Sequence, residues 1–239
     1  MATARRAASK ALKPAVWAYY ALLFGRRFPL SRRLDRCLAA WEQASGRGDV
    51  PQSRESWDAQ YRSGRWECLG RSDELARYSI IAGLLARYCP GGFVLDVGCG
   101  EGLLCDHFRP REDGGYLGID LASAAIERAA PRVDAYTRFA VADAESFVPD
   151  RPFDAVVLNE CLYYFHDPLG QAGRYLGALA PDGILVVSMF RSWRAAAVLR
   201  ALRAMLPPAE ELEVRHRKGK WHLAVFRRRP APTSMGAAE

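Results

Sequence analysis

Residues 94–102, VLDVGCGEG, constrain this chain more than any other stretch. Val94, Leu95 and Val97 form a short apolar run that reads as a buried strand, interrupted by Asp96. Gly98, Gly100 and Gly102 follow at alternate positions, so the strand runs into a tight, ligand-facing turn. Glycine there lets the main chain take conformations closed to other residues and come close to a bound molecule. The next residues, LLCDHF (103–108), read as the opening of a helix.

A strand, a glycine loop and a helix could serve a nicotinamide or flavin cofactor, whose pyrophosphate sits on the helix N-terminus. The residues argue against it. Asp96 and Glu101 border the loop, and two carboxylates repel a pyrophosphate. The dinucleotide spacing would also want a third glycine at 103, where Leu103 stands. The loop therefore suits a phosphate-free ligand with a cationic part, such as S-adenosylmethionine (SAM), which carries an ammonium and a sulfonium. As a whole, VLDVGCGEG resembles motif I of the class I SAM-dependent methyltransferases. That resemblance implies a Rossmann-like α/β domain: a seven-stranded, mostly parallel sheet with an antiparallel C-terminal hairpin. It places Gly98, Cys99 and Gly100 beside the cofactor together with Asp96.

The chain downstream keeps the pattern. YLGIDLA (116–122) reads as a second buried strand ending in Asp120, with Leu121 next. An acid 20 residues past Gly100, at the end of the next strand, can accept hydrogen bonds from both ribose hydroxyls. SAAIERAAPR (123–132) reads as the following helix. In FAVADAESF (139–147) an apolar strand ends at Asp143; the resemblance implies that this acid meets the adenine amino group while Ala144 offers its backbone. FDAVVLNECLYYFHDP (153–168) is the fourth strand and the loop beyond it. In parallel sheets ligands lie beyond the carboxyl ends of the strands, so Asn159 and Glu160 face the methionine end, and Tyr163, Tyr164 and His166 follow toward the acceptor. The segment resembles that of the ubiquinone-pathway O-methyltransferases, which carry histidine where Tyr164 stands, and of the nodulation-factor N-methyltransferases. His166 is the best general base by intrinsic pKa, with Tyr163 or Tyr164 to position an acceptor; capping the next helix is the plainer role for His166.

Upstream, Trp57, Tyr61 and Trp66 could cap a core edge. In the family an aromatic or basic residue ahead of motif I closes over the cofactor, which makes Tyr61 a candidate. SDELARYSIIAGLLARY (72–88) reads as a helix with Ser72 as its cap and Leu75, Tyr78, Ala82 and Leu85 on one face. Arg77 beside that face is either a solvated arginine or the partner of the methionine carboxylate.

The net charge of +7 is uneven. Residues 1–56 and 191–239 each carry 11 Lys/Arg against 4 Asp/Glu, whereas 57–190 carry 12 against 19. The basic N-terminal stretch encloses the apolar run PAVWAYYALLF (14–24), too short for a membrane-crossing helix. It reads as a helix packed on the domain or as an interfacial anchor using Trp17, Tyr19 and Tyr20. RSWRAAAVLRALRAMLP (191–207) reads as a basic amphipathic helix with Arg191, Arg194, Arg200 and Arg203 along one side, either solvated or against an anionic surface. ELEVRHR and KWHLAVFRRR around Lys218-Gly219 read as a β-hairpin. The division expected is a basic helical extension over 1–56, a methyltransferase domain over 57–229 and a tail over 230–239.

Six cysteines with no CxxC pair, and no metal spacing with the four histidines, fit a reduced cytoplasmic protein without a metal, and the basic flanks offer a contact with the inner face of the membrane. Cys99 is read as a small residue beside the cofactor rather than a nucleophile. The function expected is SAM-dependent methylation of an oxygen on an aromatic, lipid-linked or saccharide-linked small molecule. N-methylation and a non-catalytic SAM-binding module are the alternatives. The basic flanks also raise nucleic-acid methylation, but Asn159-Glu160-Cys161-Leu162 lacks the prolines of a motif that grips a flipped base. The oligomeric state is left open.

Overall fold

The computed structural model describes residues 14–24, 33–34, 37–38, 51–110, 114–216 and 219–228. Seven strands form one sheet: β1 (Phe93–Val97), β2 (Gly115–Asp120), β3 (Thr137–Val141), β4 (Phe153–Asn159), β5 (Leu179–Phe190), β6 (Glu210–His216) and β7 (Gly219–Arg227). Their order is β3-β2-β1-β4-β5-β7-β6. The first five run parallel, β7 is antiparallel to β5, and β6 is antiparallel to β7. Six strands thus point one way, as the seven-stranded Rossmann-like expectation required. Strand order reverses between β1 and β4, which opens a crevice at their carboxyl ends. The central strands are apolar on both faces because helices cover both; Val94, Leu95, Val97 and Ala155 through Leu158 are wholly buried.

The helices are α1 (Arg54–Arg62), α2 (Ser72–Tyr88), α3 (Ser123–Ala129), α4 (Pro168–Gly177) and α5 (Trp193–Met205). Ser53, Asp167 and Ser192 accept backbone N–H groups at the starts of α1, α4 and α5. Asp167, not His166, is therefore the cap of α4. The division drawn at 56/57 falls inside α1.

Several local expectations change. The helix expected over 103–108 is only a 3₁₀ turn, Leu103–Asp106; Pro110 and the Gly114-Gly115 entry to β2 leave little chain for a longer one. Ser72 is the first residue of α2 and caps nothing, and Leu75 is exposed, the buried face being Arg77, Tyr78, Ile81, Ala82, Leu84 and Leu85. Asp143 lies two residues beyond β3. Pro181-Asp182-Gly183, by sequence a turn signal ahead of the strand, bulges within β5: partners jump from Phe153↔Leu179 to Ala155↔Ile184, with Asp182 at φ +64°. The hairpin strands pair as expected, while Lys218 at the turn, residues 1–13 of the extension and the tail over 230–239 lie outside the described residues.

The apolar run near the N-terminus packs inward. Residues 14–18 are helical and continue as a π-turn, Tyr19–Leu23. Val16, Tyr19, Tyr20 and Phe24 are buried in the core cluster that contains Leu162, Tyr163 and the inner face of α5. Tyr19 and Tyr20 are thus unavailable as an interfacial anchor, although Trp17 is 54% exposed. The α5 arginines are likewise not a basic stripe: Arg194 is buried, Arg200 donates to the Tyr20 carbonyl and Arg203 pairs with Glu211. Among the described residues no helix is long and apolar enough to cross a membrane.

Candidate active site

A cavity of about 470 Å³ opens over the carboxyl ends of β1, β2 and β4, where the topology reverses. Its floor is the glycine loop. Gly98 and Cys99 donate their amides to the Ile119 carbonyl at 2.8 and 3.0 Å, which ties the loop to β2. Gly98 and Gly100 sit at φ +68° and +56°. A Cβ on Gly98 would lie 2.7 Å from Cys161 Cβ, and one on Gly100 would lie 2.9 Å from the Tyr61 hydroxyl. Both glycines are required by conformation and by space.

At the end of β2 the Asp120 carboxylate accepts the amides of Gly100 (2.9 Å) and Ala122 (2.8 Å). Burial raises its pKa, and those two N–H groups pull it back toward the charged form. Asp120 thus braces the loop while lining the cavity with Leu121. Past β3, Asp143 and Ala144 line the same wall. The Ala144 carbonyl is turned away to Tyr175 (2.7 Å) and Arg174, which leaves its N–H as the group to offer a ligand.

Tyr61, from α1, covers the loop beside Trp66, with ring centroids 6.4 Å apart. Burial, then the neighbouring Asp120, raises its phenol pKa, so the hydroxyl stays a donor. The roof is held down by Asp58, whose Oδ1 accepts the Ala124 amide at 2.9 Å and whose carboxylate also receives the Ser123 hydroxyl. An acid on one helix caps the start of another; sequence reading missed Asp58 because its partner lies 66 residues away.

Arg77 is not a surface arginine. It is 1% exposed, lines the cavity, and is fixed between Glu74 (2.8 Å) and the Asn159 side chain. Burial opposes its charge, but Tyr78, Glu160 and Glu74 hold its pKa above the ordinary value. Glu160 follows β4 at φ +61°, a left-handed conformation uncommon for a side chain this large. Its carboxylate accepts Ser188 Oγ (3.0 Å), Tyr163 OH (2.9 Å) and the Phe190 amide (2.9 Å). Burial raises its pKa, and Arg77 and these donors oppose the rise. Strained backbone held by several partners at the mouth of a cavity is a mark of a functional position.

Tyr163 and Tyr164 line the cavity with centroids 4.7 Å apart, and Tyr164 meets Trp57 edge-on at 4.9 Å. His166 also lines it, but its side chain is 69% exposed; Nδ1 lies 2.6 Å from Glu145 Oε2, and its amide donates to Glu145 Oε1 at 2.7 Å. Cys99 lines the floor with its thiol pKa pushed well up, by burial first and then by Asp120 and Asp96. Such a thiol is a poor nucleophile.

Asp96 is the exception among the sequence candidates. It does not line the cavity; it is buried behind the loop, where Tyr116 donates its hydroxyl to it, and burial pushes its pKa up to about 7. Glu101, the other carboxylate beside the loop, is paired with Arg128 at 2.7 Å. The expected repulsion of a pyrophosphate therefore falls to Asp120 and Asp143 on the cavity wall, since Glu74 is paired with Arg77 as Glu101 is with Arg128. Sequence reading missed Glu74, Glu145, Phe190 and Trp221 as lining residues. Glu74 was signalled by its place one helical turn before Arg77. Phe190 and Trp221 face each other across β5 and β7, which no local signal announces.

The cavity fits SAM. Its floor is glycine where a Cβ would collide, and its walls carry acids at successive strand ends. Arg77 brings a cation to the wall, and among the described residues no cluster suited to a metal ion is found.

Comparison with known proteins agrees. Residues 71–232 match the family model for a methyltransferase domain. The chain is 34% identical over 99 residues to trans-aconitate 2-methyltransferase of Methylobacterium radiotolerans, covering 40% of this chain and 36% of that protein. It is 32% identical over 111 residues to a ubiquinone biosynthesis O-methyltransferase of Rhodopseudomonas palustris, covering 44% and 43%. The match thus spans less than half the length of either relative. The solved structure of N-methyltransferase NodS from Bradyrhizobium japonicum with S-adenosyl-L-homocysteine (SAH) shares the fold at TM-score 0.60 and 22% identity, over 73% of this chain and 97% of that one. The chain belongs to the methyltransferase-domain family, on a Rossmann-like fold.

Proposed function

We propose that the protein transfers the methyl group of SAM to an oxygen of a small cytoplasmic acceptor: aromatic, lipid-linked or saccharide-linked. The observation that carries this reading is the turn after β4. There the strained Glu160, Tyr163, Tyr164 and His166 enter the same cavity as Asp120 and Asp143, so an acceptor and the cofactor's reactive end would meet over one strand end. Asp120 is suited to the ribose, and Asp143 with the Ala144 amide to the adenine. Arg77 suits the methionine carboxylate, Gly98 and Gly100 give close approach, and Tyr61 covers the whole. The cofactor supplies a methyl group already activated by its sulfonium. What remains for the chain is to exclude water and align the acceptor, and alignment alone is worth several kcal/mol. In this reading Tyr163 and Tyr164 hold a flat acceptor and His166 takes its proton. Glu145 on Nδ1 favours the tautomer whose Nε2 is the basic nitrogen.

A second reading, transfer to nitrogen, is favoured by the acids on this wall: Glu145 and Glu160 suit an amine-bearing acceptor better than an anionic one. The trans-aconitate relative, which acts on a polycarboxylate, is accordingly a poor guide to the acceptor. Incubating cell extracts with the enzyme and isotope-labelled SAM tests both readings. A labelled product one methylene heavier is expected, and its fragmentation shows whether oxygen or nitrogen carries the label. SAH binding with no labelled product from any extract would favour a non-catalytic SAM-binding module. With the acceptor in hand, His166→Ala should slow single turnover about a hundredfold; an unchanged rate removes His166 from the chemistry.

A further inference from the structure

Arg194, on α5, is 4% exposed, and its charge is met by neutral oxygens. Nε donates to the Tyr163 carbonyl at 2.7 Å, one terminal nitrogen to the Phe165 carbonyl at 3.0 Å, and the other to the Tyr20 hydroxyl at 3.3 Å. The first two carbonyls belong to the end of the 3₁₀ turn Leu162–Tyr164, which leaves such groups without partners of its own. The third contact comes from the N-terminal segment. Tyr20 is 2% exposed and is held a second time, through its carbonyl, by Arg200 one and a half turns along the same helix.

We infer that Arg194 is a positioning residue for the acceptor loop and that Tyr20 acts on that loop through it, so residues 14–24 are a working part of the acceptor side of the active site rather than an appendage. The planar fork of Arg194 spans two carbonyls two residues apart, which sets the pitch of the turn carrying Tyr163, Tyr164 and His166. Tyr163 transmits the placement to Glu160 through its hydroxyl. Glu160 borders the methionine end, but the glycine loop and Asp120 are reached by none of these bonds: they are braced by β2 and by backbone amides. Loosening Arg194 should therefore disturb the acceptor loop and spare cofactor binding. This inference rests on residues 161–166 being the acceptor loop.

The test is a double-mutant cycle on the full chain, saturated with SAH, read by amide hydrogen exchange at Tyr164 and Phe165, whose N–H groups close the turn onto the Cys161 and Leu162 carbonyls. Arg194→Lys keeps the charge and loses the fork; it should speed exchange there at least tenfold. Tyr20→Phe keeps the buried ring and loses the hydroxyl; it should speed exchange two- to fivefold. The double variant should match Arg194→Lys alone, because Tyr20 acts through Arg194. In each case the SAH dissociation constant should stay within twofold and exchange at residues 97–102 should not change. A Tyr20→Phe protein with unaltered exchange, or a double variant whose effects add, overturns the inference. If Arg194→Lys does not fold, the Tyr20→Phe arm decides alone. A wild-type chain that ignores SAH would instead sink the methyltransferase reading and is told apart at the first titration.

Discussion

The two halves of the cavity are built by different means. The half proposed for the cofactor, over β1, β2 and β3, consists mostly of short motifs at neighbouring strand ends that brace one another. Glycines stand where a Cβ would collide, Asp120 accepts the amides of Gly100 in the adjoining loop and of Ala122 two residues on, and Asp143 accepts the amide of Glu145 two residues on, while Asp58, bonded to Ala124 across 66 residues, holds only the roof. The acceptor half, over β4 and β5, is held from far along the chain. Arg77 reaches Asn159 across 82 residues, Arg194 reaches Tyr163 across 31, and Tyr20 meets Arg194 across 174. Local construction tolerates change elsewhere, whereas long-range construction makes the acceptor side depend on α2, α5 and the N-terminal segment together.

The contrast can be broken most forcefully at Arg77, which joins the halves. Arg77→Met leaves Glu74 and Asn159 without their partner in a buried site and should cost about 3–5 kcal/mol of stability, read by chemical denaturation. A loss under ~1 kcal/mol would mean that Arg77 is no keystone. Asp120→Ala comes next. It removes the brace on Gly100 together with the proposed ribose acceptor and should weaken SAH by on the order of a hundredfold, ~3 kcal/mol, with the fold retained. Equal affinity in a titration would show that the cofactor half does not depend on that strand-end acid.

A subtler effect sits behind the glycine loop. Asp96 has its pKa raised by burial from 3.8 to about 7. A carboxyl more basic folded than unfolded adds stability below about pH 4, and that contribution is lost as pH rises through about 7. Asp96→Asn should therefore raise the melting temperature relative to the wild type most at pH 8, by progressively less as pH falls below 7, and little near pH 4. A difference independent of pH would show that Asp96 is ionised throughout. The smallest change is expected at Glu101. Its pair with Arg128 is partly exposed, so Glu101→Gln should shift stability by no more than ~1 kcal/mol and leave SAH binding nearly intact.

This division also explains what the sequence disclosed. Strands, strand-end acids and the glycine loop were legible because each is announced within a few residues by spacing and apolar patterning. The sheet with its antiparallel end followed from the family resemblance. Asp96 was legible as a strand-end acid but not as a buried one, since its partner Tyr116 lies on the neighbouring strand. The α5 arginines read as a solvated or lipid-facing stripe because helical spacing records which residues share a side and not what covers that side. Tyr19 and Tyr20 were ambiguous for the same reason. The helix expected after Gly102 failed because a local apolar run was weighed without the short distance to the next strand.

The most direct measurement is calorimetric titration of the full chain and of Asp120→Ala with SAH and, separately, with NAD. The account predicts one SAH site per chain, weakened on the order of a hundredfold in the variant, and no heat from NAD. Uptake of NAD with indifference to SAH would contradict it.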